Sequence, residues 1–291
     1  MRIGILVEGE DALTWDQWRR IVTAADDLGF DSVWISDHLL SSDGQDRGGL
    51  DSWLALALAA ASTRRVSLGP LVTPITFRLA GLLARMAANL DTLSGGRFVL
   101  GLGVGWNERE HAAFGIPFPP GPERLHLLDS GLALIRRTLK TRVPILLGGS
   151  GRGTLRLVAR YADEWNVTTN SPELYQTLSQ SLAAACHVIG RDPASVNRSV
   201  AVGVLIGRDP SDLCARAQRL RQVVPGLQDV PREQVLTHVR AHGWVAGTPR
   251  EVVTALKALA DVGVDRAMLG HYDPDDTAAL QLIAQEVLPW M

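Results

Sequence analysis

Short runs of β-branched and aliphatic residues alternate along the chain with longer stretches whose apolar positions recur at the helical period. The runs at 3–7, 32–36, 66–72, 98–102, 144–147, 164–168, 196–206 and 265–269 predict strands. Between and after them, 15–28, 51–62, 79–93, 122–139, 154–161, 172–189, 213–224, 249–261 and 277–288 predict helices. Thr14 is placed to cap the first helix and Gly29 to end it. Eight strands with a helix after each predict an α/β fold: a closed parallel (β/α)8 TIM barrel, with residues 1–291 as one domain. An open doubly wound sheet is the alternative, but such a sheet carries a phosphate loop after its first strand. Here Glu8, Gly9, Glu10 and Asp11 stand at that place, and their charges repel phosphate. The polar segments 39–50 and 225–243 are expected to be loops that shape a pocket.

Composition narrows the partners. Hydrophobic residues at 46% and charged residues at 21% suit a packed globular chain. A formal net charge of -2 leaves no concentrated basic face, so nucleic acid and anionic membrane are not expected partners. The opening apolar run is too short for a signal segment, and no stretch is long enough to span a bilayer. Cys186 and Cys214, in alanine-rich helical stretches, are expected to be buried apolar thiols in a reducing cytoplasm.

In a barrel the active site forms where strands end, and reactive residues gather there. Strand two ends in Asp37 and His38, strand three in Thr73 and Pro74. Strand four runs into Gly103, Val104, Gly105, Trp106 and Asn107; strand five runs into Gly148, Gly149, Ser150 and Gly151 ahead of a helix. Free N–H groups at a helix start, with no side chain in the way, suit a phosphate. A histidine can take or give a proton near neutrality, and Asp37 beside it can shift its pKa or bond a cofactor. Neighbours in an extended segment point to opposite sides, so one of Asp37 and His38 is expected to face the interior. His111 and His126 could line the mouth. His238 and His242 have a spacing that can hold a metal, but no carboxylate stands between them, so a solvated helix end is expected and no metal is assigned. No G-x-S-x-G elbow occurs. Most tryptophans fall at packing positions; Trp106, in a glycine-rich loop, is the exception.

Four stretches carry a family resemblance: DSVWISDH (31–38), LGPLVTPITFR (68–78), ANLDTLSGGRFVLGLGVGWNEREHAAFGI (88–116) and LLGGSGRGTLRLVARYADEWN (146–166). Together they resemble the luciferase-like monooxygenase superfamily, and within it the branch that uses the deazaflavin coenzyme F420. The resemblance implies an oxidoreductase that passes a hydride between F420 and a small organic substrate, with His38 as acid/base and Asp37 beside it. It implies cofactor contacts from Asp37, Leu71, Val72, Thr73, Val104, Gly105 and Asn107, a cis bond between Leu71 and Val72, and a phosphate turn at Gly148, Gly149 and Ser150. A homodimer is implied as well. The alternatives are an FMN-dependent monooxygenase of the same fold and a non-catalytic barrel that has lost its cofactor. The chain departs from the pattern at two places. Some sugar-phosphate dehydrogenases of this branch carry a glutamate proton donor where Trp106 stands, and Glu108 and Glu110 are poor substitutes, so a glucose-6-phosphate type of substrate is not expected. An aromatic-rich excursion common in relatives is also missing, since residues 139–142 lead straight to strand five.

Overall fold

The structure, a computed structural model, describes residues 1–291. Ten strands join in one parallel sheet: β1 (Arg2–Val7), β2 (Ser32–Ile35), β3 (Ser67–Pro70), β4 (Thr73–Pro74), β5 (Leu100–Gly103), β6 (Ile145–Gly148), β7 (Glu164–Thr168), β8 (Asn197–Ile206), β9 (Val245–Gly247) and β10 (Arg266–Gly270). The helices are α1 (Trp15–Leu28), α2 (Ser52–Ser62), α3 (Ala80–Ser94), α4 (Glu108–Ala113), α5 (Gly121–Thr138), α6 (Arg152–Tyr161), α7 (Pro172–Val188), α8 (Pro210–Val223), α9 (Val235–Ala241), α10 (Pro249–Asp261) and α11 (Thr277–Glu286). Pairing runs β3-β2-β1-β10-β8-β7-β6-β5-β4. The two ends of that order meet: Leu68 bridges Phe98, and the Val99 amide donates to the Leu68 carbonyl at 2.9 Å. The sheet therefore closes into the expected barrel.

Local chemistry explains the elements. Thr14 and Gln17 form a capping box at α1, and Gly29 ends that helix in the left-handed region at φ 91. Thr248 and Glu251 repeat the box at α10, behind Pro249. Leu, Ala and Val on the inner helix faces pack on the outward residues of the strands in the main core. Inside the barrel, Leu6, Trp34, Val99, Leu146, Ala201 and Met268 form a separate plug beneath the strand ends. Lower still, buried Arg266 lies between Asp31 at 2.7 Å and Glu164 at 2.8 Å.

The strand expected at 66–72 stops at Pro70; beyond a cis peptide bond between Leu71 and Val72, pairing resumes only as the two-residue β4. The segment 225–243 is not a plain loop, since it holds α9 and leads into β9, which pairs β8 outside the barrel order. Residues 108–113 are helical as well. Trp15 and Trp290, assigned to packing, are exposed. Both cysteines are free; Cys186 is buried and Cys214 exposed. No helix is long and apolar enough to cross a membrane.

Candidate active site

A cavity of about 500 Å³ opens over the carboxyl ends of the strands. Its floor is the top of the apolar plug: Leu6, Ala201, Leu71 and Val72 belong to both. Glycine backbone packs directly against the Val72 side chain of this floor. A Cβ on Gly148 would meet Val72 side-chain carbons at 3.2 Å, and one on Gly103 would meet Val72 at 2.8 Å. On one flank lie Gly148, Gly149 and Ser150, leading into α6. Gly149 has φ 127, where an L side chain is strained, and no side chain caps this helix start. The amides of its first turn are left for a ligand with acceptor oxygens.

His38 lines the opposite flank. Its Nδ1 lies 3.0 and 3.1 Å from the two oxygens of Glu110, whose carboxylate is wholly buried and also accepts from the Leu39 amide at 3.1 Å. Burial alone would lower the His38 pKa. The hydrogen bond to Glu110 and the charges of Glu10, Glu110 and Glu8 outweigh it, and the imidazole is pushed up to about 9. Trp106, largely exposed, stands edge-on to His38 with ring centroids 5.4 Å apart. Glu8 and Tyr272 complete this end of the cavity.

Eight of the residues expected at the site line the cavity: His38, Leu71, Val72, Val104, Gly105, Gly148, Gly149 and Ser150. Three do not. Asp37 faces away from it, as strand alternation requires, and its carboxylate accepts from Thr73 at 2.5 Å, Arg78 at 2.6 Å and Trp53 at 3.2 Å. Thr73 is fully buried in that network. Asn107 caps α4, and its carbonyl accepts from His111 at 2.7 Å. His111 is buried against Thr76 rather than at the mouth, and His126 lines a groove between α5 and α6. The segments 39–50 and 225–243 contribute no residue to the cavity wall. Arg47 and Gln228 from them face an adjoining chamber instead.

Two residues at the site do not stand out in the sequence. Glu110, a poor proton donor by position, is the partner that fixes His38. No local pattern around it signals that role. Glu8, whose charge repels phosphate, stands in the cavity wall.

The sequence profile of luciferase-like monooxygenases matches residues 1–143 and 126–266. The F420-dependent hydroxymycolic acid dehydrogenase of Mycobacterium tuberculosis is 28% identical, with 99% of this chain and 87% of that protein covered. An F420-dependent glucose-6-phosphate dehydrogenase of Kineococcus radiotolerans is 26% identical over 91% of this chain and 90% of that one. In fold, the chain is similar to an F420-dependent secondary alcohol dehydrogenase solved with an F420-acetone adduct: TM-score 0.81, 18% identity, 99% and 98% covered. The profile spans most of the barrel, strand-end turns included, and the chain belongs to the luciferase-like monooxygenase family.

Proposed function

We propose that this chain, 1–291 acting as one unit, is an F420-dependent oxidoreductase that moves a hydride between the deazaflavin and a small organic substrate. The observation that carries this reading is the cavity itself. An apolar floor at Leu71 and Val72, a glycine-rich turn at Gly148, Gly149 and Ser150, and a proton-bearing His38 share one chamber. The donor set fits the coenzyme, because an aromatic ring suits the apolar floor and a phosphate needs the open amides of α6. The F420-dependent relatives support the same coenzyme. The bound deazaflavin would supply the hydride chemistry.

The remaining work falls to side chains. Val104 and Gly105 border the ring's space, while Asp37, held by Arg78 and Thr73, fixes the strand end that presents His38. His38 carries the proton coupled to hydride movement. No lysine or arginine lines the cavity, so a phosphorylated substrate finds no cation beyond His38. The FMN reading has only neighbours in fold behind it. Anaerobic titration separates the two: F420 is expected to bind at micromolar concentration with a change in its absorbance, and FMN at the same concentration is expected to leave its spectrum unchanged. A protein that ignores F420 would end the proposal.

The same reading includes a homodimer in the cytoplasm. Leu54, Leu79 and Leu82 are largely exposed on and just before α2 and α3, an apolar surface suited to a second copy. Sedimentation at micromolar concentration is expected to give twice the mass of the chain.

A further inference from the structure

Two bodies of space meet at Glu8. One is the redox cavity. The other is a chamber of about 330 Å³ whose walls include Asp11, Gln17, Arg47, Gln228 and His271. Glu8 and Tyr272 stand in the wall of both. The chamber is polar and contains unmet hydrogen-bonding capacity: Nε2 of buried His271 and Oδ1 of Asp11 have no partner. Burial pushes the His271 imidazole down to about 4, so its unpartnered nitrogen belongs to a neutral ring.

Among the side chains that line the redox cavity, only Glu8, His38 and Tyr272 can ionise. Burial, with the nearby Glu8, Glu10 and Asp11 carboxyls, drives the Tyr272 phenol far above its ordinary value, which removes it at neutral pH. His38 is fixed as an imidazolium by Glu110, so it can give a proton but has no lone pair with which to take one. Hydride transfer to or from a carbon bearing a heteroatom needs a second carrier. We propose that Glu8 is that carrier, exchanging the proton of the substrate's heteroatom while His38 serves the cofactor side. This rests on the F420 reading above.

The balance closes. When an alcohol is oxidised, its C–H bond breaks with both electrons passing to the cofactor. Its O–H bond breaks with the proton passing to the Glu8 carboxylate, and a C=O bond forms. The His38 imidazolium yields the proton that accompanies the hydride. Glu8 gains one proton and His38 loses one; exchange with solvent restores both, at Glu8 through the adjoining chamber and at His38 through the mouth of the redox cavity. Reduction runs the same bonds in reverse. The surroundings poise Glu8 for this work. Burial raises its carboxyl above the usual range, against the opposing pull of His38, Ser36 and Glu10, while Asp11 adds to the rise. Glu10, short-bonded to Ser36, is raised further still, by burial and by the charge of Glu8. Arg47 faces Glu8 across the chamber, and His271 and Tyr272 face it from the end of β10.

The test is a pH titration of protein carrying [13Cδ]glutamate and [15N]histidine, followed by NMR without cofactor and paired with F420 binding. One glutamate signal, absent in Glu8→Gln, is expected to titrate above the ordinary carboxyl range. It is expected to move higher in His38→Gln, because a positive neighbour is lost. F420 affinity in Glu8→Gln is expected to stay within about twofold of the parent, and hydride transfer with an alcohol or carbonyl substrate to fall about 100-fold. Glu8→Asp is expected to recover part of that rate. A Glu8 signal that titrates near 4.5, or ignores His38, overturns this inference and leaves the F420 reading standing. Failure of the unaltered chain to bind F420 overturns both.

Discussion

Glu110 decides what His38 can do. Its carboxylate is sealed from solvent and spends its oxygens on the His38 ring and the Leu39 amide. Glu110→Gln removes the charge and keeps the shape, so the His38 pKa is expected to drop from about 9 toward the ordinary 6.5, read from 15N shifts of the imidazole. The sign for stability follows. The folded-state pKa is raised, so the pair stabilises the fold fully below 6.5, and that stabilisation fades as pH climbs through about 9. Denaturant midpoints of the parent are expected to fall over that window, and those of Glu110→Gln to stay flatter. At the proposed phosphate turn, Ser150 is exposed, so Ser150→Asp is expected to leave the melting temperature within a few degrees. The same change is expected to weaken F420 binding tenfold or more through like-charge repulsion. The sequence displayed His38 and the glycine turns, because each falls at a strand end; Leu71 and Val72 were legible only through the family resemblance. It hid Glu110 and Glu8, since a carboxyl takes its meaning from what folds against it. Asp37 was legible as a neighbour of His38, but strand alternation turns it into the Arg78 and Thr73 network.

Among the elements, β3, β4 and β5 do the closing. Gly69 and Gly101 let the strands approach: a Cβ on Gly101 would run into the Pro70 carbonyl oxygen, and one on Gly69 into that of Val99. Backbone cannot yield as a flexible side chain can. Gly101→Ala is therefore expected to cost several kcal/mol, about 3 or more, measured by urea unfolding. The hydrophobic pattern displayed the strand at 66–72 but ran it past Pro70 and missed the two-residue β4, because alternation carries no mark of where a strand turns inward. It also missed α9 and β9. Helix α9 has only 7 residues, too few to establish a period, and β9 has 3. By contrast α1 and α10 were legible nearly to the residue, since capping boxes mark where they start.

At the scale of the whole molecule, the barrel is held from within at two levels. The apolar plug fills its middle, and Arg266, Asp31 and Glu164 cross its lower end, joining β10 to β7 and to the start of β2. Arg266→Ala leaves two carboxylates without their cation in a nearly closed space, and is expected to destabilise the fold by about 3–5 kcal/mol in urea unfolding, with F420 affinity per folded molecule unchanged. The alternating pattern announced the barrel as a whole because each turn of helix after strand repeats one sentence of sequence; the ion pair stayed silent because its members lie far apart along the chain. The closing seam has a practical meaning for anyone redesigning this protein. Val72 is at once the floor of the chamber and packing beside that seam, its side chain set against Gly101, Gly103 and Gly148, so a library that randomises it to admit a bulkier substrate would trade expression yield for scope. Diversity is better placed at Trp106, which overhangs His38 from the solvent side and holds nothing shut.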